Sequence, residues 1–250
     1  MKQQIILKIV VDIGMTVMLL LLMTYELIGE AAHEWLGVGI FALFITHHIL
    51  NRKWSRSVLK GKYTPLCIWQ TVLVIGILLT IAGSMYSGVI LSKHALLFLP
   101  IKGGRALARE IHMISAYCGF VLMSLHLGFH WRMMMGMARR IIKELPSAGR
   151  WMLRGIAALV AGYGVYAFIR REIGHYMFLQ NPYVFFDFEE PLIFFLADYI
   201  AVIALFVWVS HYFSKALRYI TQKRKTILII YNRKNLEREF QNKSRQRNRQ

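Results

Sequence analysis

The chain has 250 residues, 56% of them hydrophobic, a formal net charge of +18 and a mean hydropathy of +0.44. So apolar and so charged a chain is not an ordinary soluble enzyme, because the two properties coexist only where they are segregated. The basic residues lie between apolar runs, the pattern that sets membrane topology, so membrane lipid is an expected partner and nucleic acid is not.

Runs of about 20 apolar residues, enough to cross about 30 Å of hydrocarbon, predict six transmembrane helices at 5–27, 31–51, 66–91, 106–135, 151–169 and 191–213. The first run contains Asp12 and leads into Glu26 and Glu30 without a small-residue cleavage site, so it reads as a retained helix rather than a signal peptide. The expected fold is an all-α integral membrane protein: a four-helix membrane core over 1–140, two further spans over 141–216, and a basic cytoplasmic tail over 217–250. Within that tail the apolar patch at 227–231 suggests an amphipathic or disordered segment on the anionic inner leaflet.

Lysine and arginine orient the spans. Arg52, Lys53, Arg56, Lys60 and Lys62 follow the second helix; Arg132, Arg139, Arg140, Lys143, Arg150 and Arg154 follow or flank the end of the fourth. With the tail, they fall on one side, which is expected to be the cytoplasm, with both termini there. Glu26, Glu30, Glu34, Asp187, Glu189 and Glu190 fall on the other side. Lys93, Lys102, Arg105 and Arg109 break the trend on that outer side.

Histidine in a membrane helix needs pairing, ligation or hydration. The second helix holds His33, His47 and His48; the fourth holds His112, His126 and His130. His33 to His47 and His112 to His126 are each fourteen residues apart, which returns to within about 40° of the same helix face at levels about 21 Å apart. The two helices run in the same direction, so His33 matches His112 near one surface and His47 matches His126 near the other. A bare metal recruits more protein ligands than two. A haem supplies four nitrogens and asks for two axial ligands, so two non-covalent b-type haems are expected, with His33, His47, His112 and His126 on the irons. There is no C-x-x-C-H for covalent attachment, and Cys67 and Cys118 form no disulfide framework. His130 is the rival to His126; His48 and His130 otherwise read as interfacial, as do His94, His175 and His211. With both axial positions filled, the chemistry is electron transfer. A different class of function, a non-redox transporter or assembly factor using the histidines for protons or metal, stays open.

The stretch His33-Glu34-Trp35-Leu36-Gly37, ending in Thr46-His47-His48-Ile49-Leu50-Asn51-Arg52-Lys53-Trp54, resembles the flavinylation-associated membrane cytochromes, a domain-of-unknown-function family of four-helix dihaem b-type cytochromes. Ser124-Leu125-His126-Leu127-Gly128-Phe129-His130-Trp131 is similar to the matching signature on the fourth helix. The likeness covers roughly residues 8–135 and extends more loosely to the b subunits of respiratory dehydrogenases and to ferric reductases. It implies a bacterial cytoplasmic membrane, with electrons passed outward to an extracytoplasmic, flavin-carrying acceptor. The chain has no G-x-G-x-x-G, so it lacks a Rossmann flavin or nicotinamide site. A quinol or a cytoplasmic reductase is then the donor, and the chain is an electron-transfer subunit more than a stand-alone enzyme.

Other residues carry two readings. Gly119, midway between His112 and His126, leaves room either for a porphyrin edge or for close helix packing. Arg105 or Arg109 pairs with propionates, or the loop is simply tolerated outside. Asp12 and Asp198 are proton acceptors of a quinol site or, the favoured reading, structural carboxylates bonded to a neighbouring helix. The aromatic, acidic stretch with Tyr183, Phe185, Phe186 and Phe188 reads as an interfacial belt, or as a docking segment.

Overall fold

The computed structural model describes residues 2–53, 56, 64–96, 98–99, 101, 103–138 and 146–247. Among them every regular element is a helix: α1 (Lys2–Leu22), α2 (Tyr25–Ile28), α3 (Glu30–Leu50), α4 (Pro65–Leu91), α5 (Arg105–Ala138), α6 (Ser147–Arg170), α7 (Ile173–Met177) and α8 (Leu192–Arg247). Trp54, Lys60, Lys62, Lys102, Arg139, Arg140 and Lys143 lie outside the described residues. Five helices are long and apolar enough to cross a membrane, over Gln3–Leu22, Pro65–Leu91, Arg105–Met137, Ser147–Arg170 and Leu192–Asn235. The helix α3 is not among them. It has the length, 21 residues, but His33, Glu34, His47 and His48 dilute its apolar character.

Two boundaries differ most from the expectation. The first helix stops at Leu22 instead of running to 27, because buried Thr24 turns the chain, its hydroxyl donating to the Leu21 carbonyl at 2.6 Å. Gly29 then takes φ 86° and ψ 155°, a region open almost only to glycine, and reverses the chain into α3. At the other extreme α8 continues to Arg247 as one helix of 56 residues. The tail is thus helical rather than disordered, since Lys, Arg, Gln, Glu and Leu all favour helix and no proline or glycine interrupts them.

The helices pair through small residues, which let backbones approach closely. In the antiparallel α1–α3 hairpin, Gly14 faces Leu43 and Gly39 faces Met18. In the antiparallel α4–α5 hairpin, Gly76 faces Leu122 and Gly83 faces Ser115. The helix α8 runs parallel to α5, with Phe120 against Tyr199 and Gly128 against Val207. Buried Ala161, Gly164 and Ala167 seat α6 on α8. A β-carbon at Gly128 or Gly164 would collide with the carbonyl of Val207 or Ala201.

One end of the bundle is acidic and pinned by ion pairs. Asp198, 1% exposed, accepts from Arg171 Nε at 2.8 Å and Tyr163 Oη at 2.5 Å, and Arg171 also forks onto Glu190 at 2.6 and 2.7 Å. A buried carboxylate so engaged is a structural tie, in keeping with the favoured reading of Asp198. Beside it lies the main core, with Tyr117, Phe120, Tyr176, Phe195, Tyr199 and Val202. The helix α3 stands apart from that core. It has no fully buried residue, and its close backbone packing is with α1, α2 and α4. Between α3 and α5 the approach is made by side chains.

Candidate functional site

Histidines fill the space between α3 and α5. At the acidic end His33 and His112 face each other with ring centroids 6.0 Å apart and planes at 66°. Tyr25 closes the other side of His33, edge-on at 5.0 Å. The tautomer of His112 follows from its neighbour. Ser87 Oγ donates to the Gly83 carbonyl at 2.6 Å, so toward His112 Nδ1, 3.0 Å away, it can only accept. This contact favours the His112 tautomer with its proton on Nδ1 and its lone pair on Nε2. His33 Nδ1 is buried and has no hydrogen-bond partner, an orphaned polar atom where such atoms are otherwise satisfied.

These features fit a metal held between two imidazoles. A metal–nitrogen bond is about 2 Å and the ring centre lies roughly 1 Å beyond, so two rings opposed on one metal have centroids about 6 Å apart. An acceptor that holds the second ring nitrogen is the usual outer-sphere support of a ligating histidine, and Ser87 Oγ stands in that position. No group of three or more His, Cys, Asp or Glu side chains suited to a metal ion occurs among the described residues.

The acidic end is also clamped. Glu34, one residue after His33, accepts from Ser92 Oγ at 2.7 Å and from the backbone amides of Lys93, His94 and Ala95 at 2.8–2.9 Å. Lys93 pairs with Glu30 at 2.6 Å, and this contact holds its ammonium above the usual lysine range. Arg105 donates to the Leu91 carbonyl at 3.2 Å. The basic loop after α4 is thus tied to the acidic start of α3, a local neutralisation of its charge.

The basic end is arranged differently. His126 lies against His130, ring centroids 4.7 Å apart, and its buried Nδ1 has no partner. His47 Nδ1 meets Asp12 Oδ1 at 2.8 Å, while Asn51 accepts from Lys8 at 2.9 Å and donates to the His47 carbonyl. His48 sits beside His47, 5.8 Å between centroids. His47 and His48 are near enough to His126 for their charges to interact, but His47 and His126 do not share a ring contact like that of the acidic-end pair. Of the two expected pairs, one is brought into an edge-on ring contact, and the other is dispersed into a cluster of four histidines with one carboxylate.

Gly119 faces Thr80 of α4, whose Oγ1 would lie 3.2 Å from an added β-carbon. Helix packing accounts for it. Sequence reasoning missed Ser87 and the Glu34 clamp. A serine in an otherwise apolar span was the available signal for Ser87; nothing in the sequence links Glu34 to residues 92–95, because that contact depends on how the hairpins meet.

Five membrane-length apolar helices in one packed bundle put the chain in the class of helical multi-pass membrane proteins. No protein-family model, no curated protein and no solved structure matches it.

Proposed function

We propose that the protein is a dihaem b-type membrane cytochrome that carries electrons across the bilayer. The observation that carries this reading is the opposed pair His33–His112 at 6.0 Å, with His112 Nδ1 tied to Ser87. Among the described residues two imidazoles are all that is offered there, so a metal between them needs its other ligands from a macrocycle. A haem with both axial positions filled by protein supplies outer-sphere electron exchange and has no open position for substrate.

The chain's own groups position the cofactors. On this reading α1, α3, α4 and α5 form the haem core, and α3 is the sixth span, its histidines made compatible with hydrocarbon by ligation. His33 and His112 hold one group. His47 and His126 hold the other, with Asp12 orienting His47 and His130 standing next to His126. Phe120 and Tyr117 are buried against Tyr199 and Tyr176, which fixes α5 and with it His112 and His126. The basic end faces the cytoplasm by the positive-inside trend. Electrons enter from a quinol or a cytoplasmic reductase and leave to an extracytoplasmic acceptor, a flavoprotein if the family likeness extends to partners.

The test is a reduced-minus-oxidised spectrum of the purified protein, with pyridine haemochrome quantitation. We expect b-type bands and close to two haems per chain, in line with two bis-histidine levels. No haem in protein made with ample haem supply overturns the reading. The histidine cluster would then serve protons or a metal.

A further inference from the structure

The cytochrome reading does not use the cleft at the basic end between α5 and α8. Its volume is about 420 Å³ and it is lined by Phe129, His130, Arg132, Met133 and Arg218. Among the described residues neither guanidinium has a carboxylate within 4.0 Å, although the two lie close enough to repel one another. Lys215 and His211, on the neighbouring turns of α8, add to the same field. Among the described residues Asp12, the carboxylate that acts on His130, is engaged by His47. Arg218 is half-buried and Arg132 exposed, and like charges side by side in this way are unfavourable unless an anion bridges them. Ser214, four residues before Arg218 and therefore on the same face of α8, is 2% exposed with a hydroxyl that has no partner.

The walls narrow the choice of anion. Phe129 and Met133 make one side apolar, and Met133 is 57% exposed. The cleft opens where the apolar parts of α5 and α8 give way to basic sequence, the depth at which lipid headgroups lie. We propose that this cleft binds a phosphate ester, the headgroup of an anionic phospholipid. Arg132 and Arg218 clamp the phosphate oxygens, His130 closes the floor, and the first acyl carbons run along Phe129 and Met133. Two arginines suit the task because their planar forks match phosphate oxygens. The bound lipid would staple α5 to α8 where, among the described residues, neither Arg132 nor Arg218 has a protein counter-ion. This inference is independent of the haem reading.

The experiment is native mass spectrometry of the full-length protein released from nanodiscs of mixed phosphatidylglycerol and phosphatidylcholine, with haem content measured in parallel. Wild type should retain one phosphatidylglycerol through washing with roughly a thirtyfold preference over phosphatidylcholine, the effect of two basic groups at a membrane surface. The double variant Arg132→Gln/Arg218→Gln should lose that preference, and Arg132→Lys/Arg218→Lys should keep most of it. Absence of a preferred lipid in wild type overturns the proposal, even if the glutamine variant fails to fold. So does a preference unchanged by the glutamines. Displacement of the lipid by millimolar inorganic phosphate would reassign the cleft to free phosphate. Loss of haem with lipid selectivity intact would reassign the arginines to propionates, and absence of haem throughout would sink the cytochrome reading while leaving this one standing.

Discussion

The two ends of the α3–α5 gap start from the same sequence spacing and arrive at different environments. At the acidic end one histidine meets one histidine, a serine favours one tautomer, and a glutamate clamps the adjoining loop. At the basic end four histidines share the space with Asp12, Lys8, Asn51 and, at its rim, Arg132 and Arg218. Equal spacing brings side chains to equal levels along a helix. What each level becomes depends on what the neighbouring helices bring there.

The comparison makes its largest prediction for ligand removal. On the cytochrome reading, His33→Ala or His112→Ala should each abolish the acidic-end haem, leaving about one per chain, because among the described residues no other imidazole makes a ring contact with this pair. His47→Ala should weaken the basic-end haem less completely, since His48 and His130 offer replacements. Haem stoichiometry with low-temperature spectra of the variants checks this. Equal loss at both ends would erase the distinction.

A smaller effect is expected from the groups that orient the ligands. Ser87→Ala should loosen the acidic-end haem alone, and Asp12→Asn the basic-end haem alone, each by about 10- to 100-fold in retention, the usual cost of removing such a partner. Competition with apo-myoglobin, followed spectrally at each haem, reads the two separately. If either substitution acted on both haems, the two ends would be coupled rather than distinct.

The smallest effect concerns the clamp. Lys93→Met should shift the melting temperature by no more than about 2 °C, as an exposed ion pair contributes little. The sign with pH is set by the raised lysine. A group whose folded value lies above its unfolded one contributes while pH is below the unfolded value, and that contribution fades as pH rises through the raised one. Wild type and variant should therefore differ at neutral pH and converge in strong alkali, in thermal scans of the detergent-solubilised protein.

Much was legible in the linear sequence. The long helices follow from apolar run lengths, because about 20 residues is what hydrocarbon thickness demands. That His33 comes level with His112 follows from helical rise and from the order of the helices. The acidic and basic ends follow from where Lys, Arg, Asp and Glu fall between the runs. Local chemistry needs no tertiary knowledge for these, since each depends on residues near one another in the chain.

Tertiary structure decided the rest, because it depends on which helix faces meet. That Asp198 is a structural anchor, fixed by Arg171 and Tyr163, required α6 to lie against the start of α8. That Gly119 serves helix packing required Thr80 of α4 to face it. Ser87 gained meaning only when α4 presented it to His112, and Arg132 met Arg218 only because α8 runs parallel to α5. Periodicity places a side chain at a height and an angle on its own helix; the packing of small residues between helices sets which side chain it finds there.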